Sequence, residues 1–114
     1  MAGSHIAIPT ILKIGSGTLG NVGKYLQSSG FKKAVVFFGN GLVEMFGKTV
    51  MDSLSEADIE VLSYCELDTT DIKDIIDLAF TIDAKTQVIL GIGGGKVIDA
   101  GKYAAYLRKL PFIS

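Results

Sequence analysis

Apolar positions along this chain follow two periods in alternation. Short unbroken apolar runs predict strands covered on both faces, and longer stretches with apolar residues three and four apart predict amphipathic helices. Residues 10–14 read as a strand, Gly15-Ser16-Gly17 as a turn, and residues 18–28 as a helix with Leu19, Val22 and Leu26 inward. Gly30 suits the exit of that helix. Residues 34–38 are a continuous β-branched and aromatic run, ended by Gly39-Asn40-Gly41. Residues 42–54 read as a helix with Leu42, Phe46, Val50 and Leu54 near one face, and residues 59–65 as the next strand. Thr69 or Thr70 can cap a helix over 71–82 whose Ile72, Ile75, Ile76 and Ala79 face inward, with Asp71 and Asp74 at its positive end. Residues 87–90 predict a strand, 97–108 a helix, and 110–113 the start of another strand.

Strands and helices in strict alternation predict an α/β fold. Its parallel sheet, of about five strands, would be covered by helices on both faces in three layers, with right-handed crossovers. No linker, repeat or low-complexity segment interrupts the pattern. The chain stops at Ser114 just as a strand begins, so the expectation is one piece of a larger protein. Its cut sheet edge and uncovered apolar face would favour a homo-oligomer.

Bulk properties narrow the function classes. A chain of 114 residues with 48% hydrophobic and 20% charged residues fits one globular domain. Lys and Arg total 11 against 12 Asp and Glu, giving a net charge of −1, and nothing argues for nucleic acid or an anionic membrane surface. No apolar run approaches the ~20 residues of a membrane span, and the start carries no secretory signal. Cys65 is the single cysteine, so no disulfide forms within the chain and a reducing cytoplasmic setting is expected. Cys65 itself reads as a small hydrophobe at a strand end. His5, the single histidine, lies in Met1-Ala2-Gly3-Ser4-His5, which looks like a vector-derived addition. The remaining 109 positions therefore carry no histidine ligand or histidine acid–base group. Asp71, Asp74 and Asp77 share a helix stripe and read as a solvated face rather than a metal site.

The candidate chemistry lies in Gly91-Ile92-Gly93-Gly94-Gly95-Lys96-Val97-Ile98-Asp99. Four glycines in five positions bare the backbone at a strand-to-helix turn, where amides and the positive end of a helix attract an anion such as a phosphate or diphosphate. Two known phosphate loops do not fit. The dinucleotide fingerprint G-x-G-x-x-G would need glycine where Lys96 stands, and the P-loop needs one more residue and a hydroxyl where Val97 stands. What remains is an anion cradle of bare amides with Lys96 as the nearby cation. Asp99, three residues on, is expected to face the same crevice and hold a ribose or substrate hydroxyl. Gly39 and Asn40, at the carboxyl end of a buried strand, are candidates for an adenosine pocket, because open parallel sheets bind ligands at that edge. Lys102 and Tyr103 read as surface, and Ala100, Gly101, Ala104 and Ala105 as packing residues.

The stretch Gly91 to Ser114 resembles the nucleotide-binding region of the iron-containing alcohol dehydrogenase and dehydroquinate synthase-like superfamily, with Gly93, Gly94, Gly95, Lys96, Asp99, Lys102 and Pro111 matching its pattern. The Ile14-Gly15-Ser16-Gly17 turn supports it. Lys96 and Pro111-Phe112-Ile113-Ser114 look most like glycerol-1-phosphate dehydrogenases and glycerol dehydrogenase-like proteins. The resemblance implies a Rossmann-like N-terminal NAD(P)-binding domain over 6–114. It implies a parent oxidoreductase that transfers a hydride between a polyol or polyol phosphate and NAD or NADP. Gly93, Gly94, Gly95 and Lys96 would hold the diphosphate, with Asp99 beside it. Gly39 falls where many members carry an Asp that favours NAD, which leaves room for NADP. The family's divalent metal (Zn, Fe or Ni) and its ligands belong to a helical C-terminal domain, so no metal or catalytic residue is carried over and the 114 residues alone are expected to be inactive. A 3-dehydroquinate synthase-like lyase domain and a non-catalytic flavodoxin-like module remain as alternatives.

Overall fold

The computed structural model describes residues 19–68 and 71–114. The order is α1 (Val22–Ser28), β1 (Lys33–Gly39), α2 (Leu42–Glu56), β2 (Glu60–Leu67), α3 (Ile72–Thr81), β3 (Val88–Ile92), α4 (Gly95–Arg108) and β4 (Phe112–Ile113). These strands form one sheet in the order β2-β1-β3-β4, with every pairing parallel. The α/β alternation thus builds the expected layered sheet, with four strands among the described residues. The strand and turn expected at 10–17 lie outside them, as do Thr69 and Thr70.

Why β1 and β3 occupy the centre follows from their composition. Both are apolar at every interior position, so they need cover on both faces. Successive side chains alternate between two cores. Ala34, Val36 and Phe38 of β1 join Val88, Leu90 and Ile92 of β3 against α1 and α2, where Leu19, Val22, Leu26, Val50 and Leu54 are buried. On the other face, Val35, Phe37 and Ile89 pack with Ile75 and Ala79 of α3 and with Val97, Ala100, Ala104 and Ala105 of α4. The small residues of α4 bring it close to the sheet. The Phe112 ring fills that space, lying against Gly91 and Gly101 so closely that a Cβ on Gly91 would come 2.6 Å from the ring.

The inward pattern expected for α3 needs one correction. Ile75 and Ala79 are buried and Ile76 is half-buried, but Ile72 is 60% exposed. It sits in the first turn of α3, level with the carboxyl edge where the sheet ends. The cap of this helix is Asp71, whose side chain accepts from the Lys73 amide at 3.0 Å.

Polar contacts between elements fix the helix ends. Ser53 of α2 accepts from the Gly23 amide at 2.9 Å and donates to the Gly20 carbonyl at 3.0 Å, so one helix caps the start of another. Arg108, in the last turn of α4, donates to the Ala79 and Ile82 carbonyls at 2.7 and 2.6 Å, satisfying the end of α3. Three helices end in the same way. Gly30, Asp58 and Lys109 adopt positive φ of 88°, 59° and 57°, and the next residue's amide reaches back to the carbonyl five positions earlier, at 2.8–3.1 Å.

Strand β2, at the edge of the sheet among the described residues, carries an irregularity. Its pairing with β1 runs Lys33 to Glu60 and Ala34 to Val61, then jumps to Val35 with Ser63, so Leu62 is skipped. A one-residue bulge turns every following side chain to the opposite face. Past it, Tyr64 points toward the α1–α2 side, edge-on to Phe38 with ring centroids 6.2 Å apart, while Cys65 packs toward α3 and α4. Cys65 is half-buried inside β2 rather than at its end, and burial pushes its thiol above its usual value.

Candidate functional site

From β1 the chain passes through α2 to β2 on one side, then crosses back through α3 to β3 on the other. The direction of winding therefore reverses between β1 and β3. Loops leaving the carboxyl ends of two such strands diverge to opposite faces and leave a crevice, the usual ligand position in an open α/β sheet. The glycine-rich turn follows β3 and Gly39-Asn40-Gly41 closes β1, so the two segments singled out in the sequence meet at this one place.

Each glycine of the turn does something different. Gly93 has φ +149°, and a Cβ there would lie 2.6 Å from the Val97 side chain and 3.3 Å from the Gly39 nitrogen. Only glycine allows the two loops to touch. Gly94 is the N-cap of α4, and Gly95 begins the helix. Nothing lies within 4 Å of a Cβ built on either, so their missing side chains keep space open. The first intrahelical bond runs from the Ile98 amide to the Gly94 carbonyl at 3.1 Å, and among the described residues no side chain caps this end. The amides of residues 95–97 thus precede the helix's own bonding and carry its positive end.

The crevice measures about 320 Å³. Gly39 and Asn40 line it from β1, and Gly94, Gly95 and Lys96 from α4, with the Lys96 side chain exposed. Leu42, Leu67 and Val97 supply an apolar floor, and Asp68 borders it from the end of β2. Asp99 is not brought in. It is exposed one turn further along α4 and lies outside the lining. Sequence reading missed Asp68 because nothing local ties the end of β2 to the turn after β3. The strand order does that.

A larger hollow of about 570 Å³ lies at the opposite, amino edge of the sheet, between Phe31, Gln87 and Leu110. Its one side-chain acceptor is engaged, since Gln87 Oε1 already receives the Lys32 and Lys33 amides at 2.6 and 3.1 Å. Among the described residues that line it, Gln87 and Lys109 carry the polar side chains. Among the described residues no group of three or more His, Cys, Asp or Glu is placed to hold a metal ion, and no helix is long and apolar enough to cross a membrane.

A crevice of bare amides suits an anionic ligand. A family model described as iron-containing alcohol dehydrogenase matches residues 13–114. This chain belongs to the iron-containing alcohol dehydrogenase family. Among its relatives is a "Glycerol-1-phosphate dehydrogenase [NAD(P)+]" of Pyrobaculum islandicum, 28% identical over 106 residues, a match covering 93% of this chain and 28% of the relative. The protein of the same name from Thermoplasma volcanium is 36% identical over 90 residues, covering 77% of this chain and 25% of the relative. The crystal structure of glycerol dehydrogenase from Schizosaccharomyces pombe superposes with a TM-score of 0.75 at 28% identity, over 83% of this chain and 24% of that one. The chain thus spans about a quarter of the length of these relatives. Within the family it corresponds to the N-terminal, Rossmann-like part, as the resemblance implied.

Proposed function

We propose that this chain forms the NAD(P)-binding domain of a metal-dependent glycerol or glycerol-1-phosphate dehydrogenase. The observation that carries the reading is the uncapped N-terminus of α4 at the switch point, where the 95–97 amides and Lys96 border an open crevice. The names of the relatives in the family support the same assignment.

In this reading the residues present fit a dinucleotide. Gly94 and Gly95 form a cradle that any side chain would fill, and the diphosphate lies there against the amides and the helix's positive end. Lys96 adds a point charge from the rim. Asn40, neutral and exposed beside Gly39, offers both a donor and an acceptor to the adenosine ribose. Leu42 and Leu67 give the adenine an apolar wall. Asp99 stands one turn away and would reach the dinucleotide only from outside the crevice. The bound nicotinamide would supply hydride acceptance or donation. The chain's own part is to bind and orient the cofactor. No metal ligand is assigned to the described residues. We place the protein in the cytoplasm as a homo-oligomer.

Titration of the chain with NADH, followed by nucleotide fluorescence, tests the reading. Saturable binding that is lost in Gly95→Val, with the circular dichroism spectrum unchanged, is the expected result. Binding that survives Gly95→Val would show that the diphosphate sits elsewhere.

A further inference from the structure

Two helices begin at the crevice, α2 after β1 and α4 after β3, and both have a glycine N-cap with no capping side chain of its own, Gly41 and Gly94. The two ends are nevertheless unlike. At α4 no side chain among the described residues caps the opening amides. At α2 the position is filled, because Glu66 of β2 reaches over and its Oε2 accepts from the Val43 amide at 2.9 Å. The bulge at Leu62 is what makes this possible. By flipping the face of every later residue in β2, it turns Glu66 toward α2 instead of α3. Two residues further, Asp68 borders the crevice itself. Glu44, exposed in the first turn of α2, adds a third acidic group on this side. Among the described residues that line the crevice, Lys96 is the one cation, and it belongs to α4.

The crevice is therefore polarised along the strand tips. Open amides and a cation mark the β3–α4 end, while at the β2 end Asp68 borders the crevice and Glu66 stands just outside its lining. These ends are two strand spacings apart, about 10 Å, within reach of an adenosine whose diphosphate sits over Gly95. We propose that Glu66 and Asp68 make this crevice select a dinucleotide with a free 2′-hydroxyl on the adenosine ribose over one carrying a 2′-phosphate. The inference rests on the dinucleotide reading above and deepens it. A 2′-phosphate brings roughly −1.5 to −2 charge at neutral pH and would meet Asp68 at the border of the crevice, with the Glu66 carboxylate behind it on the Val43 amide. Of the opening amides of α2 that could otherwise offset it, that of Val43 already belongs to Glu66. A hydroxyl, by contrast, can donate to the Asp68 carboxylate. Discrimination comes chiefly from repulsion of the wrong ligand. Glycine at position 39 taken alone leaves room for NADP; the carboxylates arriving from the neighbouring strand reverse that expectation.

The test uses two probes that differ only in the phosphate, ADP-ribose and 2′-phospho-ADP-ribose, titrated calorimetrically into the chain. ADP-ribose is expected to bind at least about tenfold more tightly, a difference of about 1.4 kcal/mol. In the double variant Glu66→Gln, Asp68→Asn the ratio should fall below about threefold, chiefly through gained affinity for the phosphorylated probe. The glutamine side chain keeps an acceptor for the Val43 amide, so the thermal midpoint should hold. If the double variant does not fold, Asp68→Lys alone carries the test, because that side chain is exposed and the substitution should invert the preference. A native ratio near one, a preference for the phosphorylated probe, or a ratio unmoved by the substitutions overturns the proposal while leaving the dinucleotide reading intact. Failure of both probes to bind overturns the dinucleotide reading, and this proposal with it.

Discussion

Gly93 and Gly39 touch backbone to backbone across the switch point: a Cβ on Gly93 would approach the Gly39 nitrogen to 3.3 Å and its α-carbon to 3.4 Å. The contact joins the two loops of the crevice and separates the glycines into two kinds. Gly93→Ala must displace Val97 or β1 while holding φ +149°, so it should lose about 2–4 kcal/mol of stability. Gly95→Ala meets nothing within 4 Å and begins a helix, so stability should stay within about 1 kcal/mol of native. Its methyl group should nevertheless weaken nucleotide binding. Urea unfolding of both variants checks this, and equal destabilisation would contradict the geometry.

In the dinucleotide reading proposed above, Lys96 serves the ligand rather than the fold. It is exposed and makes no ion pair among the described residues. Lys96→Ala should leave the melting temperature within about a degree or two and weaken dinucleotide binding by about tenfold. The salt dependence of binding should also become shallower. A variant that binds as well as the native chain would remove Lys96 from the cradle.

Ser53 is buried, 8% exposed, and links α1 to α2 through both its donor and its acceptor. Ser53→Ala leaves the Gly23 amide and the Gly20 carbonyl without that partner, at a cost of about 1–3 kcal/mol. Thermal denaturation measures it. Amide exchange should quicken first in α1, the element held by this contact.

Asp58 and Lys109 occupy the left-handed conformation that Gly30 adopts at the equivalent position of α1. Replacement by glycine should stabilise the chain, by about 0.5–1 kcal/mol at Lys109 and by less at Asp58, because aspartate tolerates this region better. Denaturant midpoints of Lys109→Gly and Asp58→Gly give the ranking directly.

Burial raises the Cys65 thiol, so the folded chain keeps that proton to higher pH than the unfolded chain. The associated stabilisation is present in full below the unfolded thiol's pKa, about 8.5. It is lost as pH rises through the folded value. Iodoacetamide labelling of the native chain should therefore show a pH midpoint above that of the urea-unfolded chain. Coincident midpoints would mean that the thiol is open to water.

Much of this architecture is legible residue by residue. The unbroken run Ala34–Phe38 needs apolar cover on both faces whatever its neighbours are, and it lies at the centre of the sheet. The stripe of Leu19, Val22 and Leu26 can hide only against such a sheet. Glycines at 93–95 before a helix bare its amides, a local fact of chain chemistry. Other features depend on residues far apart in the chain. Ile72 keeps the helical period of Ile75 and Ala79 but is exposed, because period says nothing about where the sheet stops. Asp99 shares the period of Lys96, yet the crevice opens elsewhere.

Local periodicity and turn chemistry, acting over a few residues, were thus enough to specify alternating elements, a doubly covered parallel sheet and a bare helix start. Strand order and register were not available at that range. They brought Asn40 beside Gly94 and skipped Leu62 in the ladder, which carried Glu66 to the Val43 amide. Pairing between strands is settled by how whole faces bury together, and a one-residue slip that reverses every later side chain leaves almost no trace in the order of the amino acids.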